Sequence, residues 1–145
     1  MSSASGWLTR LQSKGWRITP ARRALFEILS AHAKPLSVGA ILEKMTKQGL
    51  SPNKTTVYRE LERLKMEGIL REVLIDGKTQ YVELINEDDH HHHLICTTCK
   101  RLEDFDPTPE MEKKIDELTA LVGRTTHFGE MSHSVDFFGV CQKCA

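Results

Sequence analysis

No stretch of this sequence approaches the roughly 18 consecutive apolar residues of a membrane-crossing helix, so a helical span is excluded. The first twenty residues hold no uninterrupted apolar segment, and no secretory signal is expected. They are Ser-rich and basic with no acidic residue, as transit peptides are, but Trp7, Leu8 and Leu11 read better as one face of a first helix. Cysteine is scarce: four residues in 145, grouped as two close pairs. Without an export signal, that pattern argues against a disulfide-stapled fold and for reduced ligands in a cytoplasmic protein. Catalytic signatures are missing too, with no H-E-x-x-H, no nucleophile motif and no separate general base. Neither an enzyme nor a small-molecule substrate is expected.

Net charge is also missing, because 20 Lys+Arg balance 20 Asp+Glu. The balance averages two opposite parts. Residues 1–79 carry 14 basic and 7 acidic residues, a net of +7, and residues 80–145 carry 6 and 13, a net of −7. Six of the seven histidines and all four cysteines lie in the second part. A basic front suits a polyanion, and an acidic back rich in His and Cys suits metal cations. With 39% apolar and 28% charged residues the chain is globular, and 145 residues make one domain or two small ones.

A short helix is expected near 5–14, closed by Gly15. Thr19 and Pro20 are a hydroxyl N-cap followed by a first-turn proline, starting a helix near 20–32 with Ala21, Leu25, Ile28, Leu29 and His32 on one stripe. Pro35 stops that helix from continuing. Ser37 caps a third, with Val38, Ile41, Leu42 and Met45 inward and Gly49 closing it. A fourth helix is expected over 54–67, with Val57, Leu61 and Leu64 inward and Arg59, Glu62, Arg63 and Met66 opposite. Asp76-Gly77 between the β-rich runs 69–75 and 79–85 reads as a hairpin turn. Helices followed by a hairpin give a winged helix-turn-helix order with one extra helix in front, over residues 1–84.

Residues 85–145 open with a polar, His-rich tract. Short strands are expected at 94–95 and 101–105, a helix over 110–122 and a strand over 134–140. This α+β part has about 60 residues, too few for an ample core, so a metal or a partner chain should help hold it.

Cys96-Thr97-Thr98-Cys99 and Cys141-Gln142-Lys143-Cys144 are two C-x-x-C pairs separated by residues 100–140. Two such pairs close a four-thiolate shell, which points to zinc with no open position and hence a structural role. In the run His90, His91, His92, His93, alternate side chains of an extended segment face opposite ways and can feed two sites. Glu83, Asp104 and His133 are further candidate ligands. On the fourth helix, Arg59 and Arg63 can read guanine or grip phosphate, and Tyr58 can contact a thymine methyl. Arg17, Arg22 and Arg23 can add backbone contacts.

Four pieces stand together in this order: Gly15-x-Arg17-x-Thr19-Pro20-x-Arg22, Thr55-Thr56-Val57-Tyr58-Arg59, the run from His90 to Cys96, and His133 with Phe138-Gly139-x-Cys141-x-x-Cys144. On these the sequence resembles the ferric uptake regulator (Fur) superfamily of iron, zinc, manganese and peroxide sensors. The resemblance implies a homodimer whose N-terminal winged helix binds DNA and whose C-terminal α/β domain, residues 85–145, dimerises around a four-cysteine zinc site. Metal at the hinge would favour the closed, DNA-binding form, repressing metal-uptake or stress genes from an A·T-rich palindromic operator. By position, Thr56, Tyr58, Arg59 and Arg63 fall on the recognition helix, Arg22 precedes it, and Arg17 matches a minor-groove arginine. The implied regulatory set is Glu83, His91, His93 and Asp104, taking Zn2+, Fe2+ or Mn2+. A further set is His90, His92, Glu112 and His133, with Glu110 open as an alternative to Glu112. Pro35 stands where many members have one more hinge histidine. His32 is nearby but lies on an apolar stripe and is expected to pack or cap, and His127 is expected at the surface. Two other classes compete with this reading: a metal-buffering or zinc-ribbon adaptor, and a zinc enzyme built on Glu83, His91 and His93. The second would leave the basic half unexplained. Within the superfamily, a peroxide sensor remains an alternative.

Overall fold

The computed structural model describes residues 3–86 and 91–145. The chain divides into two compact units, Met1–Asp89 and His90–Ala145, each with its own three-stranded sheet.

The first unit holds α1 (Ala4–Ser13), α2 (Pro20–Ser30), β1 (Leu36–Ser37), α3 (Val38–Lys47), α4 (Lys54–Met66), β2 (Leu70–Leu74) and β3 (Gln80–Leu84). Every helix here starts on a side chain that accepts a backbone N–H three residues on. Ser3 serves Gly6, Thr19 serves Arg22, Ser37 serves Ala40 and Asn53 serves Thr56. Each satisfies a donor that the helix itself leaves unpaired. Gly15 (φ 80°) and Gly68 (φ 67°) take the left-handed conformation that turns the chain out of α1 and α4. The inward stripes meet in one core, with Leu11, Phe26, Ile41, Leu61 and Leu64 fully buried. Burying each such side chain contributes about 1.5–3 kcal/mol.

Strands β2 and β3 pair antiparallel from Leu70 opposite Leu84 to Leu74 opposite Gln80. Their turn is held by Asp76 Oδ1, which accepts from the Lys78 and Thr79 amides at 2.9 and 2.7 Å. The two-residue β1, pairing Leu36 with Val82, makes the sheet order β1-β3-β2. It was not foreseen, because two residues carry no alternation to read. Helix α2 ends at Ser30, short of the expected 32, and the His32 imidazole Nδ1 bonds the Ile28 carbonyl at 2.7 Å. His32 thus caps the end of the helix, as one of its two expected roles had it, although the helix itself stops two residues earlier than expected.

The second unit holds β4 (His92–Cys96), β5 (Leu102–Phe105), α5 (Pro109–Thr126) and β6 (Asp136–Gly139). Central β4 pairs antiparallel with β5 and parallel with β6. Helix α5 runs four residues beyond the expected 122, through Gly-Arg-Thr-Thr, past Met111, Ile115, Leu118 and Val122, whose helical spacing predicts the helix. The Thr125 and Thr126 hydroxyls donate to the Leu121 and Val122 carbonyls there, and His127, exposed with φ 60°, ends the helix. Gly123 is required by a close approach: a Cβ would lie 3.1 Å from both Met131 Cγ and the Phe128 carbonyl oxygen. Among the described residues of this unit only Ile95, Cys96 and Leu102 are buried apolar side chains. Leu118, Phe128, Phe138 and Val140 are each more than half exposed. No helix among the described residues is long and apolar enough to cross a membrane.

Candidate metal centres and nucleic-acid face

The parallel β4–β6 pairing sets Cys96 opposite Gly139, so the chain leaving β6 delivers Cys141 and Cys144 to the Cys96–Cys99 turn. One sulfur from each of the four cysteines lies within 4.8 Å of the others. Cys99 Sγ and Cys141 Sγ are 3.8 Å apart. Four sulfurs about 2.3 Å from a tetrahedral zinc stand about 3.8 Å apart, so the spacing fits the ion. The Cys141 and Cys99 amides point at Cys96 Sγ from 3.4 and 3.5 Å and bring its thiol down to about 6. The neighbouring thiols of Cys141 and Cys99 push Cys144 up to about 12. Four sulfurs this close cannot all ionise without a cation among them, and a soft divalent ion supplies it.

A second cluster joins β4, α5 and the segment before β6. His92 Nε2 lies 3.2 Å from Glu112 Oε2, and His133 Nε2 lies 3.0 Å from Glu112 Oε1. Of the two candidate glutamates, Glu112 is the one that bridges the imidazoles. The Thr119 hydroxyl donates to the Ile115 carbonyl at 2.8 Å and is 3.3 Å from His133 Nδ1. Its proton is already committed, so it can only accept from Nδ1–H. That tautomer leaves His133 Nε2 as a bare lone pair facing a carboxylate, an arrangement that needs a proton or a metal ion between them. Ligand atoms around an ion at about 2.1 Å stand about 3.0–3.4 Å apart, as these do. His90 lies outside the described residues.

His93 and His91 stand edge to face, with ring centroids 5.2 Å apart. Asp136 Oδ1 holds His93 Nδ1 at 2.9 Å, which leaves Nε2 to ligate. Asp104 lies opposite His93 in the β4–β5 register, is exposed, and among the described residues stands outside the ligand clusters of its unit. Glu83 belongs to the first unit, buried on β3 and ion-paired by Arg71 across the ladder. Thr119, Asp136 and Arg71 went unseen in the sequence. Each acts through another residue, and nothing in its spacing marks it.

On α4, Thr56, Arg59 and Arg63 are exposed and Tyr58 is half-buried, with Lys54 Nζ 5.8 Å from its ring centroid. Arg17 and Arg23 are exposed ahead of and on the first turn of α2. Arg22 departs from the expected backbone contact. It is buried, grips both carboxylate oxygens of Glu60, donates to the Arg17 carbonyl, and lies against Trp16. Its guanidinium is engaged inside the unit, because the first turn of α2 faces α4 there.

A sequence model of the Ferric uptake regulator family matches residues 13–138. The chain is 30% identical over 143 residues to the Peroxide operon regulator of Bacillus subtilis (strain 168), covering 95% of this chain and 90% of that one. It is 26% identical over 136 residues to the Ferric uptake regulation protein of Legionella pneumophila, covering 93% and 96%. The fold matches that of the Helicobacter pylori ferric uptake regulator Fur with TM-score 0.77 at 22% identity, over 98% of this chain and 93% of that one. With a winged helix, a four-cysteine cluster and a family match across most of its length, this chain belongs to the ferric uptake regulator family.

Proposed function

We propose that the protein is a metal-dependent transcriptional repressor of metal-uptake or metal-stress genes, acting in the cytoplasm as a homodimer on an A·T-rich palindromic operator. One observation carries the reading. The same chain presents an arginine-bearing helix packed on a wing and histidines whose Nε2 atoms are set for a metal by Thr119 and Asp136. Residues 1–84 serve as the DNA-binding domain and residues 85–145 as the metal-binding, dimerising one. Thr56, Tyr58 and Arg59 read the major groove, Arg63 supports them, and Arg17 enters the minor groove. The exposed apolar side chains of α5 and β6 support dimerisation, since a lone unit would leave them in water.

Glu83 of the first domain and His91, His93 and Asp104 of the second would share one divalent ion only in the closed, DNA-binding arrangement. A ligand set complete in one state alone shifts the balance toward that state. Moving from mostly open to mostly closed takes about 5 kcal/mol of differential affinity. His90, His92, Glu112 and His133 form a further site, whose imidazole-rich donors favour zinc.

The test is operator binding by fluorescence anisotropy at fixed salt. The protein keeps its four-cysteine zinc, is stripped of other metal, and is titrated anaerobically with Fe(II), Mn(II) and Zn(II). One ion should tighten binding at least about tenfold, equivalent to ~1.4 kcal/mol. His91→Ala should remove the response, and Arg59→Ala with Arg63→Ala should remove DNA binding while metal binding stays. Tight binding indifferent to every ion would refute metal control. The 30% identity to a peroxide operon regulator favours one second reading, a peroxide sensor. Such a protein would release the operator when peroxide meets its Fe(II) form and retain it in the Mn(II) form.

A further inference from the structure

Trp16 lies between α1 and α2, turned out by the left-handed Gly15 and tied back by its amide to the Leu11 carbonyl at 3.0 Å. Two guanidinium groups stack on its indole. Arg22 Cζ is 4.7 Å and Arg63 Cζ 4.5 Å from the ring centroid. Arg22 is fixed in turn by Glu60 and by the Arg17 carbonyl. Glu60 and Arg63 are three residues apart on α4, about one helical turn. Helix α4 therefore holds the Arg22–Trp16 pair at two points, by a carboxylate on one and a guanidinium on the other. The residue next to Trp16 is Arg17, exposed, whose carbonyl is part of the same lattice of contacts.

We propose that Trp16 is a positioning residue for DNA recognition: it holds Arg63 on α4 and the adjacent Arg17 in one fixed geometry, so that both arginines meet the duplex together. The proposal rests on α4 being the DNA-reading helix. The physical basis is entropic and electrostatic. An arginine on an exposed helix face loses side-chain freedom when it grips a phosphate, and a guanidinium already stacked on indole has surrendered much of it beforehand. The stacking leaves the edge donors of Arg63 available, because cation–π contact uses the face of the guanidinium. The neighbouring Arg22 cation is neutralised by Glu60, so two arginines can share one ring without their charges opposing each other fully.

The experiment uses the metal-loaded full chain and an A·T-rich palindromic duplex selected on the parent protein. Trp16→Leu keeps apolar bulk and removes the π face, and Trp16→Phe keeps a face. Trp16→Leu should weaken binding about three- to tenfold. It should also lower the slope of log K against log salt by about one phosphate contact. Trp16→Phe should recover part of both. Trp16→Leu should cost less in the Arg63→Ala background than it costs alone, since the share of its effect that runs through Arg63 is already gone. A merely structural role for Trp16 would leave the salt slope unchanged and give additive losses, which overturns the proposal. As a readout independent of whether Trp16→Leu folds, Trp7→Phe makes Trp16 the sole indole of a chain with two tryptophans. Its emission should shift on Arg63→Ala, and no shift would mean that the stacking does not exist in solution. Arg59→Ala separates the two levels. If it also leaves binding intact, the DNA-reading assignment of α4 fails. If it abolishes binding while Trp16→Leu changes nothing, only the positioning role fails.

Discussion

Removing the metal from the four-cysteine cluster should unfold the second unit and spare the first. The structure sets the contrast. Among the described residues the second unit buries three apolar side chains, Ile95, Cys96 and Leu102, whereas the first has a core of seventeen spread over four helices and the sheet. Structural zinc in small units contributes about 10–16 kcal/mol of folding free energy near neutral pH. Whole domains are stable by only about 5–15 kcal/mol, so a unit so poor in core cannot lose that contribution and stay folded. Cys144→Ser is the cleanest perturbation, because Cys144 lies past the last strand and is no member of the first unit's core. Amide hydrogen exchange, with metal content followed by native mass spectrometry, reads both units at once. Protection should vanish across β4, β5 and β6 in Cys144→Ser and in chelated protein, and persist in α2 and α4. Chelated protein that keeps its β4–β6 protection would refute the argument.

Three further outcomes follow from named contacts. Thr119→Val removes an acceptor 3.3 Å from His133 Nδ1 and should weaken metal binding at the His92–Glu112–His133 cluster about 10–100-fold, with the four-cysteine zinc untouched, as read by competition with a chromogenic chelator. Arg22→Met leaves the largely enclosed Glu60 carboxylate, 17% exposed, without its partner and should cost about 3 kcal/mol in urea unfolding; Arg22→Met with Glu60→Met should recover most of it. The Thr79 and Lys78 amides hold the Asp76 carboxyl below its ordinary range. A depressed folded value means that its stabilisation is complete above the unfolded value near 4 and is lost as pH falls through the folded one, so the melting difference between parent and Asp76→Ala should close below about pH 4.

Much of the local structure was legible because its causes are local. A capping hydroxyl, a first-turn proline and a glycine past the last turn lie within a few residues of the helix they bound, and Thr19, Pro20 and Gly15 could be read directly. Where those signals ran out, the reading did too. Helix α5 continues over four residues with no apolar stripe, and β1 is two residues long. The zinc cysteines were legible because one ion imposes its own spacing on two close pairs.

Amino-acid order alone determined which side chains of the first unit's helices face inward, where the helices begin, that basic and acidic charge separate along the chain, and that four cysteines pair up as one candidate zinc set. The tertiary structure alone decided which neighbours those side chains meet. Glu112 rather than Glu110 reaches the two imidazoles, because α5 passes β4 at that turn. Thr119 and Asp136 choose the tautomers of His133 and His93, and Glu60 draws Arg22 inward under Trp16. These pairs are 14, 43 and 38 residues apart in sequence, so no local propensity couples them. Only the packing of helix on helix and the register of strand on strand bring their atoms within bonding distance, and that packing is a property of the whole unit.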